Sequence, residues 1–256
     1  MVPIVCRRDM LLPMHDFDPQ HSFGTEVAAH YDAQPRGDEQ VAAEFLARLA
    51  AGGRVLEFAI GTGRIALPLT QLGVAVDGIE LSTAMVEQLR SRPGGDPLQV
   101  EVGDMSTTDM GAKYSLVYLV YNTIFNLLTE DDQVRCFENA ARHLDEGGVF
   151  VIETALPHAR IPPGRADYVR TELVELDAVG FDVARYDPLT QRLTENHVRI
   201  TATGAQFVPI VCRLITPGEM DLMARIAGLR LIERLGSWRR EPFSSDSIAH
   251  VSVYAR

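Results

Sequence analysis

The stretch Val55-Leu56-Glu57-Phe58-Ala59-Ile60-Gly61-Thr62-Gly63-Arg64-Ile65-Ala66 carries an apolar strand into a glycine turn and out into a helix. A turn of this kind aims backbone N–H groups and a helix N-terminus at a ligand. Gly61 and Gly63 leave out Cβ atoms where the chain bends sharply, so a nucleoside-bearing ligand can lie against the main chain. The segment reads as a cofactor-binding turn.

Two classes of enzyme compete for that turn. Gly61-x-Gly63-x-x-Ala66 satisfies the dinucleotide fingerprint, and Glu80 follows about 20 residues on, where such proteins keep a ribose-binding acid. Glu57 separates the two, because a carboxylate near a strand end is costly to bury unless something cationic or hydrogen-bonding meets it. The next strand, Val74–Ile79, ends at Glu80, whose carboxylate can accept hydrogen bonds from two ribose hydroxyls. Leu81 follows, then Ser82 as a helix N-cap and Met85, able to pack on a flat base. The third strand, Leu98–Val102, runs into Gly103-Asp104-Met105.

These motifs resemble the class I S-adenosylmethionine (SAM) methyltransferases, whose first motif is acid-x-Gly-x-Gly-x-Gly. Ala59 stands where that pattern has its first glycine. The resemblance implies SAM as cofactor, S-adenosylhomocysteine (SAH) as product, and a set of contacts: Glu57, Ala59, Gly61 and Gly63 at the turn, Glu80 and Leu81 at the ribose, and Met85, Asp104 and Met105 at the adenine. It also implies a leading segment that covers the cofactor, with Tyr31 brought to the site and Arg36 on the methionine carboxylate. Each acid has a plainer reading. Glu57 could pair with Arg54 or Arg64 for structure alone, Glu80 could favour a helix start, and Asp104 could be a turn residue.

Strand-like and helix-like segments alternate from residue 54 onward, which predicts a parallel, doubly wound sheet with its ligand at the carboxyl ends of the strands. Gly24 to Ala51 reads as one or two helices, with Val41, Ala42, Phe45, Leu46 and Leu49 near helical spacing. The fourth strand, Tyr114–Tyr121, leads into Asn122-Thr123-Ile124-Phe125-Asn126, where the family sets the acceptor beside the sulfonium; Tyr121 joins the expected cofactor contacts. A helix over 131–144, stopped by Gly147-Gly148, precedes the fifth strand at Val149–Glu153. Residues 156–215 break the alternation: Leu173–Arg185, Arg192–Ala202 and Ala205–Ile215 read as strands of an antiparallel meander. The chain closes with a helix over Pro217–Ala227 and strands at Leu229–Leu235 and His250–Tyr254.

The fold class expected is α/β: a doubly wound, seven-stranded, mostly parallel Rossmann-like sheet with an antiparallel last strand, plus the inserted β meander. Three regions follow: an N-terminal extension over 1–23, a SAM-binding domain over 24–156 and 216–256, and an inserted β arm or substrate cap over 157–215. One hexapeptide, Val-Pro-Ile-Val-Cys-Arg, occurs at 2–7 and again at 208–213, and this pair is no repeat architecture.

A net charge of −11 disfavours a nucleic-acid partner, and no apolar run is long enough to cross a bilayer. Cys6, Cys136 and Cys212 lack metal-ligand spacing, so no metal and a reducing, cytoplasmic setting are expected. The expected partner is a small-molecule acceptor, as in the bacterial amino-sugar and secondary-metabolite methyltransferases that the chain resembles, with a homodimer formed through the β arm. There is no Asn-Pro-Pro-Tyr run, which disfavours methylases of nucleic-acid bases. Methyl transfer needs alignment and exclusion of water more than a covalent nucleophile. Tyr31, Asn126 and His158 are the catalytic candidates, with His197, His250 and Glu153 as further bases to place. Two other readings stay open: a nicotinamide-dependent oxidoreductase, and a non-catalytic SAM-binding protein.

Overall fold

The computed structural model describes residues 22–32 and 36–256. Two helices, α1 (Thr25–His30) and α2 (Glu39–Ala50), lead into β1 (Val55–Phe58), α3 (Ala66–Gln71), β2 (Val76–Glu80), α4 (Thr83–Ser91), β3 (Gln99–Val102) and β4 (Tyr114–Leu119). A 3₁₀ turn at Thr123–Asn126, α5 (Glu130–His143), β5 (Leu144–Ala155) and the short α6 (Pro157–Arg160) follow. The chain then forms β6 (Asp167–Val174), β7 (Ala178–Asp187), β8 (Arg192–Thr201) and β9 (Gly204–Arg213), and returns through α7 (Pro217–Ile226), β10 (Arg230–Leu235) and β11 (Ala249–Ala255).

The main sheet has seven strands in the order β10-β11-β5-β4-β1-β2-β3. Its strands pair in parallel except β11, which runs antiparallel between β5 and β10. Every residue of β1 and β2 is buried, as expected of central strands covered on both faces, whereas the edge strand β3 is largely exposed. The order reverses between β1 and β4, and the carboxyl ends of those strands frame the crevice where ligands bind in such sheets.

The seven-stranded parallel sheet with its antiparallel last strand is the one read from the sequence. The meander differs in count. The expected single strand from Leu173 to Arg185 is broken by a turn at Glu175-Leu176-Asp177, closed by the Glu175 N–H on the Ala178 carbonyl at 2.9 Å. Apolar residues on both sides of the turn hid it, and four strands result, in the order β6-β7-β8-β9. Gly147-Gly148 also fails to stop α5. That helix ends at His143, and the glycines sit inside β5, at the shift of its register against β4 between the Tyr114 and Leu116 pairs.

In the arm, alternation sends Val169, Val179, Val183, Ile200 and Phe207 to one face, where all are exposed. The opposite face presents Tyr168, Ala184, Leu193 and Cys212 to the core of the main domain. Buried charge accompanies them: Asp182 takes Arg170 at 2.7 Å and Glu195 takes Arg160 at 2.8 Å. His197, one of the further candidate bases, lies in the arm with its side chain 41% exposed and Nδ1 2.5 Å from Asp182 Oδ1. The second copy of the hexapeptide lies in edge strand β9; the first lies outside the described residues.

Candidate functional site

A cleft of about 780 Å³, counted to its open mouth, runs along the carboxyl ends of β1, β2 and β3. Tyr31, Ala59, Gly61, Glu80, Leu81, Met85, Asp104, Met105 and Asn126 all line it. These nine come from seven separate places in the chain, so the fold gathers most of the residues singled out in the sequence.

Each wall has a local cause. Ala59 and Gly61 both lie in the left-handed region, at φ 52° and 56°, which turns the chain back under the cleft. Glu80 Oε2 accepts the Gly61 N–H and Oε1 accepts the Ser82 N–H, both at 2.8 Å. Each of its oxygens keeps a further lone pair for a hydroxyl. Burial pushes the Glu80 carboxyl up, and the N–H groups of Ser82, Gly61 and Leu81 pull it back in part. Ser82 caps α4 by accepting the Met85 N–H at 3.2 Å, which fixes Met85 on the cleft wall.

The loop after β3 is held from behind. Asp104 Oδ1 accepts the Ser106 N–H at 2.7 Å. Asn139 of α5, fully buried, donates from Nδ2 to the carbonyls of Met105 at 2.8 Å and Thr108 at 2.9 Å. His143 Nε2 accepts the Met110 N–H at 3.0 Å. Burial lowers the His143 pKa, so the ring is neutral and able to accept.

Several residues singled out in the sequence do not line the cleft. Glu57 sits behind the glycine turn, buried, with Oε2 accepting the Tyr118 hydroxyl at 2.8 Å. Its carboxyl is pushed up to about 8 by burial; the Tyr118 hydroxyl, Arg64 and the Ala66 N–H oppose this, while Glu80 adds to it. Neither arginine expected beside it is its hydrogen-bond partner: Arg54 pairs with Asp77 and Arg64 with Asp38. Gly63 is a packing position, since a Cβ there would stand 2.4 Å from Leu89 Cδ1. Arg36 and Tyr121 stack on one another beyond the cleft, with the guanidinium carbon 3.1 Å from the ring centroid. His158 lies exposed on α6, and His250 is buried between Thr154 and Ser252 with its pKa pushed down to about 4.

The cleft also has walls that sequence reasoning missed. Phe23, placed with the extension, lies over the cleft: its carbonyl accepts the Ser82 hydroxyl at 2.6 Å and its ring meets Tyr31 edge-on at 6.3 Å. Thr123 and Leu127 complete the side next to Asn126. The aromatic spacing of Phe23 and Tyr31, eight residues apart across a short helix, was the available signal.

The arrangement suits an adenosyl group. Met85, Met105, Ile79 and Leu127 offer apolar surface for a flat base, Glu80 stands where a diol can be held, and Asp104 adds an acceptor for an exocyclic amine. Among the described residues, the one group of three histidine and acid side chains within ligand distance of one another is Asp182, Glu195 and His197 in the arm, and none of them lines this cleft.

Residues 55–148 match the model of a methyltransferase domain. The CcbJ methyltransferase of Streptomyces caelestis is 36% identical and superposes with a TM-score of 0.87 over 93% of this chain and 98% of that one. The cypemycin N-terminal methyltransferase of a Streptomyces species is 25% identical over 216 residues, covering 80% of this chain and 84% of that protein. The dTDP-4-amino-2,3,4,6-tetradeoxy-D-glucose N,N-dimethyltransferase of Saccharopolyspora spinosa is 35% identical over 106 residues, 41% of this chain and 42% of its own.

Proposed function

The chain belongs to the SAM-dependent methyltransferases that act on small molecules, and from that premise we propose that its acceptor atom is an amine nitrogen. Support for nitrogen comes from two relatives, one named as the cypemycin N-terminal methyltransferase and one as an N,N-dimethyltransferase of an amino sugar. Among the described residues no histidine or cysteine lines the cleft as a base, and a neutral amine needs none.

SAM, when bound, supplies a methyl group on a positively charged sulfur. Glu80 is the residue to hold the ribose, Asp104 and the Met105 N–H the adenine edge, and Met85 and Met105 its faces. The Gly61 turn lets the ligand approach the main chain, and Phe23 with Tyr31 excludes water from above. Asn126 can orient an acceptor without taking its proton. The observation that carries this reading is the meeting of Glu80, Asp104, Met85 and Met105 in the lining of one cleft. Calorimetry with SAM and SAH tests the first half, with micromolar binding expected. Methylation of a panel of primary and secondary amines, followed by mass spectrometry, tests the second; transfer to phenols alone would overturn it.

The arm, residues 157–215, is read as a cap on the acceptor side, because its inner face reaches the 3₁₀ turn that carries Asn126. Its outer face is read as a homodimer contact. Five exposed apolar side chains on one sheet face are more than a solvated surface normally leaves uncovered.

No helix among the described residues is long and apolar enough to cross a membrane.

A further inference from the structure

Asn139 and His143, four residues apart on one face of α5, hold the loop that runs from Asp104 to Met110 behind the cleft. Asn139 takes the Met105 and Thr108 carbonyls and His143 takes the Met110 N–H, so three backbone groups of the loop end on one helix turn. The loop is also tied to itself: the Asp104 carbonyl accepts the N–H groups of Thr107 at 3.0 Å and Thr108 at 2.8 Å. Nor is there slack in its packing, since a Cβ on Gly103 would stand 2.2 Å from Thr108 Oγ1. A displacement at Met110 is therefore felt at Asp104 and Met105, which line the cleft.

The His143 ring holds the loop in one protonation state alone. Its Nδ1 lies 2.8 Å from the Asn139 carbonyl, which can only accept, so Nδ1 carries the hydrogen. Nε2 of the neutral ring then offers a lone pair, as the Met110 N–H at 3.0 Å requires. A second proton would sit on Nε2 and point at that N–H. It has a different partner within reach: Asp109 Oδ1 lies 3.4 Å from Nε2 and accepts the Gly111 N–H at 2.9 Å. A charged ring thus gives up Met110 and turns to Asp109 in the same loop.

The surroundings set the sign of the effect. Arg142 on α5 and Lys113 before β4 resist the second proton, whereas Asp109 and the Asn139 carbonyl favour it. From β1 and β4 come the rings of Phe58 and Tyr114, each centred 6.1 Å from the imidazole, and the Tyr114 hydroxyl is engaged with Asp77 at 2.8 Å. Burial outweighs the rest, so the ring takes its second proton only below its ordinary 6.5. The loop is held in full above that pH and released as pH falls through the lowered value.

We propose that His143 is a positioning residue for cofactor binding, and that a proton taken up on its Nε2 frees the loop carrying Asp104 and Met105, so that acid weakens the hold on SAM and SAH. The inference rests on the methyl-transfer reading above and adds to it a proton linkage at a residue outside the cleft, 1% exposed and absent from the lining.

An NMR titration of the His143 ring in the wild type, with and without saturating SAH, tests it. SAH is a zwitterion without net charge, so its own field on a ring outside the cleft is small and a change in the titration midpoint has to travel through the loop. The midpoint is expected to fall by about 0.7 when SAH binds, the proton's side of a coupling of about fivefold, which is the worth of one hydrogen bond. Calorimetry reads the ligand's side. Between about pH 7.5 and 5, the SAH affinity of the wild type should drop about fivefold more than that of His143→Gln, whose amide oxygen keeps an acceptor for the Met110 N–H and does not titrate. The comparison cancels Glu80, whose raised carboxyl titrates in both proteins. A midpoint indifferent to SAH overturns the proposal and needs no variant to fold; an equal pH dependence in the two proteins overturns it as well. A wild type that binds no SAH at neutral pH would instead overturn the methyltransferase reading itself.

Discussion

The Tyr118 hydroxyl donates to Glu57 Oε2 over 2.8 Å in a place that solvent does not reach. Burial makes the charged carboxylate expensive there, and its pKa is pushed up to about 8 from an ordinary 4.5. Because the folded value lies above the unfolded one, Glu57 contributes stability below about pH 4.5 that is lost as pH rises toward 8. Glu57→Gln keeps the hydrogen-bond acceptor and removes the titration. In thermal melts, the variant's Tm should therefore gain on the wild type as pH rises from about 5 to 8. A gap independent of pH would mean that Glu57 is ionised in the folded protein.

The turn after β1 makes opposite demands at two positions. Ala59 has φ 52°, where a Cβ is unwelcome, so Ala59→Gly should stabilise the fold by about 0.5–1 kcal/mol after the added chain entropy is counted. Gly63 has φ 80° and a Cβ would strike Leu89 Cδ1 at 2.4 Å, so Gly63→Ala should destabilise by about 2–4 kcal/mol. Denaturant titration of both variants reads the two signs directly.

Legibility in the sequence followed the strength of local chemistry. The main sheet was readable because its buried strands are continuous apolar runs and its turns carry acids and glycines. Glu80, Asp104, Met85 and Met105 were singled out for the same reason, each at a strand end or cap that its own neighbours fix, and all four line one cleft. Glu57 was assigned to the ligand because an acid at a strand end needs a partner, yet that partner proved to be Tyr118, 61 residues away and invisible to any local pattern. Asn139 escaped notice altogether. It lies in mid-helix, and its two hydrogen bonds go to a loop 31 and 34 residues earlier. The turn at 175–177 was missed because period-two apolar residues continue across it.

That unnoticed residue gives a prediction about cofactor affinity. Asn139→Ala frees the carbonyls of Met105 and Thr108 and leaves both buried or partly buried without a donor. The loop carrying Asp104 then loses its anchor, and SAH affinity should fall about tenfold. Glu80→Ala acts more directly: two backbone N–H groups lose their acceptor and the ribose loses its carboxylate, so a fall of about 100-fold is expected. Calorimetry on both variants should preserve that order. Equal losses would mean that the loop behind Asp104 is as close to the ligand as Glu80 is.

The arm's outer face offers the last test. Phe207 on β9 is 61% exposed, and Val183 on β7, 45% exposed, belongs to the same apolar surface, two strands away. If a second copy covers this surface, a charge placed within it must be buried without a partner, which interfaces do not tolerate. In a monomer the same change touches only water and alters stability by no more than about 0.5 kcal/mol. Phe207→Arg should therefore convert a dimer to a monomer in light scattering at micromolar concentration while leaving the melting temperature of the monomer fold close to that of the wild type. SAH binding should also persist, because the cleft draws its lining from the main domain and the segment before it rather than from β9. A wild type that is already monomeric under those conditions removes the dimer contact, and the apolar face would then need another occupant.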